Sequence, residues 1–104
     1  AEHQVIKHKL VDMATKVTMV RTFVYECATR WDAGEYPVRE ISQAKLMATQ
    51  FAVEVADEAI QILGGHGYMR EFPVERAWRD ARLARIGAGT DEIMKEIIAK
   101  TYGL

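Results

Sequence analysis

The chain has 104 residues, of which 49% are hydrophobic and 28% charged, proportions that are ordinary for a globular domain. A formal net charge of −1 leaves no excess of basic residues to attract nucleic acid or an acidic membrane surface. The single cysteine, Cys27, excludes an intramolecular disulfide and fits a reducing compartment.

The N-terminal residues argue against a membrane or secretory role. Lys7 and Lys9 interrupt any apolar core of a signal peptide, and no apolar run approaches the roughly 20 residues that cross a bilayer. We therefore expect no membrane insertion and an intracellular location. The chain begins without a methionine, and we expect it to be shortened at its N-terminal side.

A long first helix is predicted by apolar residues that recur at alternating spacings of four and three. These residues are Ile6, Leu10, Met13, Val17, Val20, Val24, Cys27 and Trp31. The pattern stops at Asp32-Ala33-Gly34, because glycine favours a helix end, and Pro37 prevents continuation.

A second long helix is predicted from about Val38 to Leu63. Its apolar positions are rich in alanine, whose small side chain lets a neighbouring helix approach closely. Gly64, Gly65 and Gly67 should then break this helix.

Two short helices are predicted after the glycines. Pro73 suits the first turn of the earlier helix, because its missing N–H would be unpaired there anyway, and this helix should end before Gly87. Thr90 is a good N-cap for the later helix, which Gly103 should stop. The predicted fold is one all-α domain over residues 1–104, an up-and-down helical bundle of two long helices plus two short C-terminal helices.

Several patterns in the last third of the chain follow one another in a fixed order. They are Gln61-Ile62-Leu63-Gly64-Gly65-His66-Gly67-Tyr68, then Pro73-Val74-Glu75-Arg76, Arg79-Asp80-Ala81-Arg82 and Gly89-Thr90-Asp91-Glu92-Ile93. Together with the opening segment from Glu2 to Met13, they resemble the C-terminal helical domain of the acyl-CoA dehydrogenase family. The resemblance covers essentially the whole chain, and the family's domain has a further long helix before this point, so we expect a domain that lacks its first helix.

The resemblance implies an FAD-dependent enzyme that dehydrogenates acyl-CoA thioesters between the α- and β-carbons. Its implied partners are the acyl-CoA substrate, an electron-transferring flavoprotein and further copies of the same chain in a dimer or tetramer. Its implied compartment is the bacterial cytoplasm or the mitochondrial matrix. Without the domains that hold most of the flavin, the 104-residue chain alone is expected to be inactive.

Two long helices and two short ones make a thin core for a chain of this size. If the family's first helix is absent, its partners leave an apolar groove, and large exposed apolar patches drive association. We therefore expect self-association, with exchange of helices between copies as one route.

Six residues are implied by the resemblance as cofactor contacts: Gln4, Gln61, Gly64, Gly65, Thr90 and Glu92. In the family, the Gln-x-x-Gly-Gly segment contacts the ADP part of an FAD held by another subunit, and Gln4 is similar to a glutamine on the adenosine side. Taken alone, Gly64-Gly65 is a helix stop and Thr90 a plain N-cap.

The resemblance implies no catalytic base within the chain. Ala88 and Gly89 are implied to face the substrate, but many family members carry a glutamate where Ala88 stands, and a methyl group takes no proton. The Gly87-Ala88-Gly89-Thr90 form resembles isovaleryl-CoA dehydrogenase, in which the base comes from the preceding long helix. This form favours a base outside the chain and branched or longer acyl chains as substrates. The alternative is a paralogue that has lost catalysis.

Other polar residues have simpler explanations. His3 and His8 are five residues apart, too far round a helix for a metal-binding pair, and no metal site is predicted. His66 is typical of a structural hydrogen-bond partner and Tyr68 of a packing residue.

Two rival functions fit the same patterns. A non-catalytic helical oligomerisation module would associate without binding flavin. A related flavoenzyme of the acyl-CoA oxidase or nitroalkane oxidase type would differ in its electron acceptor.

Overall fold

The computed structural model describes residues 2–68 and 73–104. These residues form five helical segments, and none of them forms a strand. The segments are α1 (Glu2–Asp32), α2 (Val38–Leu63), α3 (Gly65–Tyr68), α4 (Pro73–Ala84) and α5 (Asp91–Thr101). The predicted all-α bundle of two long and two short helices is confirmed, with α3 as an additional single turn.

The break after α2 differs in detail from the prediction. Only Gly64 interrupts the helix: its φ is 63°, and its N–H donates to the carbonyl oxygens of Ile60 at 3.0 Å and Gln61 at 3.2 Å. Gly65 and Gly67 belong to the new turn α3, in which the N–H of Gly67 donates to the carbonyl oxygen of Gly64 at 3.0 Å. The prediction that all three glycines break the helix was therefore wrong for Gly65 and Gly67, because one left-handed residue suffices to end α2.

The central helix of the fold is α2, on which α1, α4 and α5 all pack, whereas α1 packs on α2 alone within the described chain. Ion pairs show that α1 and α2 are antiparallel, since Lys9 contacts Glu58 at 2.8 Å and Lys16 contacts Glu54 at 2.7 Å. The position of Gln4 near the start of α1 is thereby at the same end as the last turn of α2.

The short helices α4 and α5 follow each other along α2. Arg39, in the first turn of α2, donates to Thr101 Oγ1 at 2.9 Å and to its carbonyl oxygen at 2.7 Å. The Arg39 guanidinium also lies 3.8 Å from the ring centroid of Tyr102. These contacts hold the C-terminal end of α5 at the start of α2, so the turn between α4 and α5 lies near the middle of α2.

The core is thin. The buried apolar side chains of the described residues are Cys27, Ala44, Leu46 and Met94. The accessible surface is 7480 Å², whereas a compact monomer of this mass exposes about 5,900 Å². The radius of gyration of 16.1 Å likewise exceeds the roughly 13 Å of a compact domain of this length. The fold leaves apolar surface uncovered.

Part of this uncovered surface lies in two grooves whose floor is α2. One groove, of 690 Å³, separates α1 from α5, and its walls include Phe23 and Ile98. The other, of 590 Å³, separates α1 from α4, and its walls include Val24 and Ala77. The apolar groove that the sequence predicts is therefore present.

No helix in the described part of the chain is long and apolar enough to span a membrane.

Candidate functional site

The six predicted cofactor residues fall into two groups. Gln61, Gly64 and Gly65 lie at the end of α2, and the antiparallel register places Gln4 at the same end. Thr90 and Glu92 lie at the start of α5, beside the middle of α2. Gln61 is 11 residues beyond Gln50, the α2 residue that touches this second group, which corresponds to about 16 Å along the helix. The two groups therefore do not share one pocket within a single chain.

The glycines of the first group differ in what the chain itself requires of them. The positive φ of Gly64 favours glycine, and a Cβ at Gly67 would lie 2.7 Å from the carbonyl oxygen of Ile60. Gly65 has neither restriction, because its φ is not positive and no atom lies within 4 Å of the position of a Cβ. Nothing in the described chain requires glycine there. Close approach of another molecule to this exposed backbone would explain the glycine at position 65.

The second group begins with a strained turn between α4 and α5, which we call the 88–90 turn (Ala88, Gly89 and Thr90). Ala88 has a φ of 57°, and left-handed backbone costs a residue with a Cβ about 1–2 kcal/mol. Gly89 has a φ of 117°, and a Cβ on it would lie 2.6 Å from Met94 Cε. Such strain persists only where the surrounding structure fixes it.

Four side chains fix this turn, and we call them the Asp91 clamp: Lys45, Gln50, Arg85 and Asp91. Lys45 Nζ donates to the carbonyl oxygen of Gly89 at 2.5 Å. Arg85 Nε donates to Asp91 Oδ2 at 2.9 Å, a second Arg85 nitrogen contacts the same oxygen, and Gln50 Nε2 donates to it at 3.2 Å.

The clamp carboxylate is held in its charged form. The side chain of Asp91 is only 10% exposed. The hydrogen bond from Arg85 holds the pKa of Asp91 below its ordinary value, with a further contribution from Gln50, while burial acts in the opposite direction. The same bond raises the pKa of Arg85. The other oxygen, Asp91 Oδ1, is buried and has no hydrogen-bond partner among the described residues.

The start of α5 has the predicted cap. Thr90 Oγ1 accepts a hydrogen bond from the N–H of Ile93 at 3.3 Å, so Thr90 is confirmed as the N-cap. The first N–H groups of any helix lack partners within it, and they favour anionic or carbonyl oxygens. The side chain of Glu92 is exposed in this first turn. The start of α5 therefore offers N–H donors to a carbonyl oxygen of a ligand, and Glu92 offers an acceptor beside them.

No side chain of the turn provides a general base. Ala88 contributes an exposed methyl group, and the nearby carboxylate of Asp91 is occupied by Arg85 and Gln50. That the base lies outside this chain stays a prediction.

Sequence patterns did not indicate the clamp. Asp91 was predicted only as a helix-start residue, and Lys45 and Gln50 are polar residues in an alanine-rich helix with no local sign of a distant partner. Three weaker candidates cannot be placed, because the side chains of His3, His66 and Tyr68 lie outside the described residues.

Comparisons with known proteins identify relatives over nearly the whole chain. Residues 1–103 match the family model for the acyl-CoA dehydrogenase C-terminal domain. An acyl-CoA dehydrogenase of Bacillus subtilis (strain 168) is 45% identical over 100 residues, which are 96% of this chain and 26% of the relative. The mitochondrial isovaleryl-CoA dehydrogenase of Oryza sativa subsp. japonica is 44% identical over 99 residues, which are 95% of this chain and 24% of the relative.

Solved structures agree with these relatives. The crystal structure of an acyl-CoA dehydrogenase from Geobacillus kaustophilus is 42% identical and has a TM-score of 0.94, covering 97% of this chain and 27% of that one. The FAD complex of PigA is 31% identical, with a TM-score of 0.91, and covers 97% of this chain and 26% of that one. The chain thus spans about a quarter of the length of the proteins that it matches.

Proposed function

The chain belongs to the acyl-CoA dehydrogenase family, as a C-terminal domain, and on that premise we propose that it works as the C-terminal quarter of an FAD-dependent acyl-CoA dehydrogenase. The observation that carries the proposal is the exposed Gly65, for which residues 2–68 and 73–104 show no structural need. Close approach of a cofactor to the backbone after α2 explains this glycine. The FAD complex of a relative supports the choice of cofactor.

The proposed reaction removes the α-proton of an acyl-CoA thioester to a carboxylate outside this chain. FAD, when bound, would accept the hydride that leaves the β-carbon. Ala88 and Gly89 would line the acyl pocket, and Thr90 and Glu92 would contact the cofactor near it. The methyl group of Ala88 leaves more room than a glutamate at that position, which favours branched or longer acyl chains.

The separation of the two residue groups suggests how they are used. Gln4, Gln61, Gly64 and Gly65 lie about 16 Å or more from the start of α5 along α2. We assign them to the ADP part of an FAD held by a neighbouring subunit, whereas Thr90 and Glu92 serve the FAD of their own subunit.

Self-association belongs to the same proposal. The chain exposes about 1,600 Å² more surface than a compact monomer of its mass, about twice the roughly 800 Å² that each partner buries in a typical stable interface. The uncovered surface is apolar along both grooves. We propose a dimer or tetramer.

The proposed electron acceptor is an electron-transferring flavoprotein. The proposed compartment is the bacterial cytoplasm or the mitochondrial matrix.

The cofactor contacts are tested by flavin affinity in the complete protein, by which we mean this chain together with the remaining domains of the enzyme to which we assign it. Gln61→Ala should weaken FAD binding about tenfold, the effect of losing one or two hydrogen bonds. Gln43→Ala, the same change near the other end of α2, should leave FAD affinity unaltered. Flavin absorbance after dialysis against graded FAD concentrations measures both.

Three outcomes would contradict parts of the proposal. A folded complete protein that takes up no FAD but associates would favour the oligomerisation module. Equal FAD affinity for Gln61→Ala and Gln43→Ala would refute the assignment of the α2 end. Rapid reduction of oxygen by the substrate-reduced protein would favour an oxidase of the same fold.

A further inference from the structure

We propose that the Asp91 clamp is a set of positioning residues that fixes the 88–90 turn and, through it, the bound acyl thioester. The inference rests on the proposed function, because only that function makes the turn a wall of the substrate pocket. None of the four clamp side chains needs to touch the substrate for this role.

The first step is that the turn cannot hold itself in place. Ala88 adopts a left-handed backbone that is unfavourable for alanine, and the flanking Gly87 and Gly89 are the residues with the greatest conformational freedom. Left alone, such a segment would relax and would present a different surface.

The second step is that the clamp ties the turn at both ends. Arg85 precedes the turn and Asp91 follows it, so their ion pair closes a loop over the intervening residues. Gln50 then joins this pair to α2, the helix on which the rest of the fold packs. The two ends of the turn are therefore fixed to each other and to the most supported element of the molecule.

The third step concerns the middle of the turn. Lys45 holds the carbonyl oxygen of Gly89, which fixes the orientation of the peptide plane between Gly89 and Thr90. In a trans peptide the N–H points opposite to the C=O, so the N–H of Thr90 is directed away from Lys45. Lys45 thereby sets the direction of the Thr90 N–H at the start of α5.

This arrangement matters for a reaction that requires close alignment. Displacement of a positioned group by about 1 Å lowers the rate of such a reaction by roughly a hundredfold. Substitution of the clamp should therefore impair catalysis through the turn, while the cofactor contacts at the end of α2 stay intact.

The test uses two clamp variants of the complete protein, each with a control of the same chemistry. Lys45→Met is paired with Lys100→Met at an exposed position in the last turn of α5. Asp91→Asn is paired with Asp57→Asn at an exposed position of α2. Amide hydrogen exchange of Ile93 and Met94, whose N–H groups donate to Thr90, and the kcat and KM for acyl-CoA oxidation are measured for all four.

We expect both clamp variants to raise amide exchange of Ile93 and Met94 about tenfold and to lower kcat/KM by at least about tenfold, since each loses a hydrogen bond to a charged group. FAD content should be unaltered. Lys45→Arg, which keeps a cationic donor, should recover part of the lost kcat/KM and covers the case in which Lys45→Met fails to fold.

The two readouts separate the possible failures. Exchange at Ile93 and Met94 equal to that of the controls would overturn the clamp. Faster exchange with kcat/KM equal to that of the controls would overturn its role in placing the substrate. A folded, flavin-loaded parent that oxidises no acyl-CoA would overturn the proposed function and the substrate role together, while the exchange data would still decide whether the four side chains hold the turn.

Discussion

Four glycine-to-alanine substitutions test how backbone conformation and the space for a Cβ affect stability, because the four positions differ in both. Gly65 offers open space without positive φ, and Gly34, with a φ of 91°, offers open space with it. Gly67 lacks positive φ but places a Cβ 2.7 Å from the backbone of Ile60. Gly89 combines a φ of 117° with the contact at Met94 Cε.

The expected magnitudes follow from these differences. Gly65→Ala should be neutral or stabilising by up to about 1 kcal/mol, because alanine restricts the unfolded chain. Gly34→Ala should cost about 1 kcal/mol or less, the left-handed strain minus that gain. Gly67→Ala should cost about 1–3 kcal/mol through overpacking against rigid backbone. Gly89→Ala should cost about 2 kcal/mol, because strain dominates and the end of the Met94 side chain gives way.

Thermal unfolding followed by far-ultraviolet circular dichroism, at one protein concentration, measures the series. For a chain of this length about 1 kcal/mol corresponds to roughly 4–5 °C in Tm, so Gly89→Ala should unfold about 9 °C below the parent. The decisive comparison is between Gly65→Ala and Gly89→Ala. If Gly65→Ala lowered Tm as much as Gly89→Ala does, the backbone at Gly65 would not accept a Cβ without strain.

Three further predictions concern ionisation, thiol reactivity and association. The pKa of Asp91 is lowered in the folded chain, so its carboxylate stabilises the fold fully above the ordinary aspartate range and loses this effect as pH falls through the folded pKa. The Tm of the parent should therefore exceed that of Asp91→Asn most at neutral pH, and the difference should shrink below about pH 4. A Tm difference that does not change with pH would contradict this. Burial raises the pKa of the Cys27 thiol, so labelling by a thiol reagent at pH 7 should be slow in native buffer and fast in denaturant, and fast native labelling would contradict its burial. The sedimentation coefficient of the 104-residue chain should rise with concentration through its apolar grooves, whereas a constant monomer value would refute self-association of the isolated chain.

The bounds of the long helices could be predicted because their signals are local. Gly34 and Pro37 end one apolar pattern and permit the next, and the left-handed Gly64 ends α2. Thr90 was recognisable as an N-cap because its hydroxyl bonds to a group three residues away. Each of these features is encoded within a few residues of sequence.

The clamp could not be predicted because its members come from distant parts of the chain. Lys45 lies 44 residues from Gly89, and Gln50 lies 41 residues from Asp91. The helical periodicity of apolar residues does not indicate which distant residue a lysine side chain contacts. The single turn α3 was missed for the opposite reason, since its glycines are typical of a loop, and contact with the backbone of α2 decides its conformation.

The resemblance to a family and the geometry contribute different parts of the candidate site. The resemblance to the family implies Gln61, Gly65 and Thr90 as cofactor contacts. In the structure, Gln61 and Gly65 lie at and just beyond the end of α2, whereas Thr90 lies beside its middle. That separation motivates the assignment of the two groups to different FAD molecules. It stays a prediction until flavin binding is measured in the variants.

Anaerobic titration of the complete protein with isovaleryl-CoA and with longer acyl-CoA thioesters, followed by its visible spectrum, tests the dehydrogenase function. We expect a yellow protein whose flavin absorbance bleaches on addition of at least one of these thioesters, with the base outside residues 1–104. A folded, flavin-loaded protein that bleaches with none of them would contradict a dehydrogenase function.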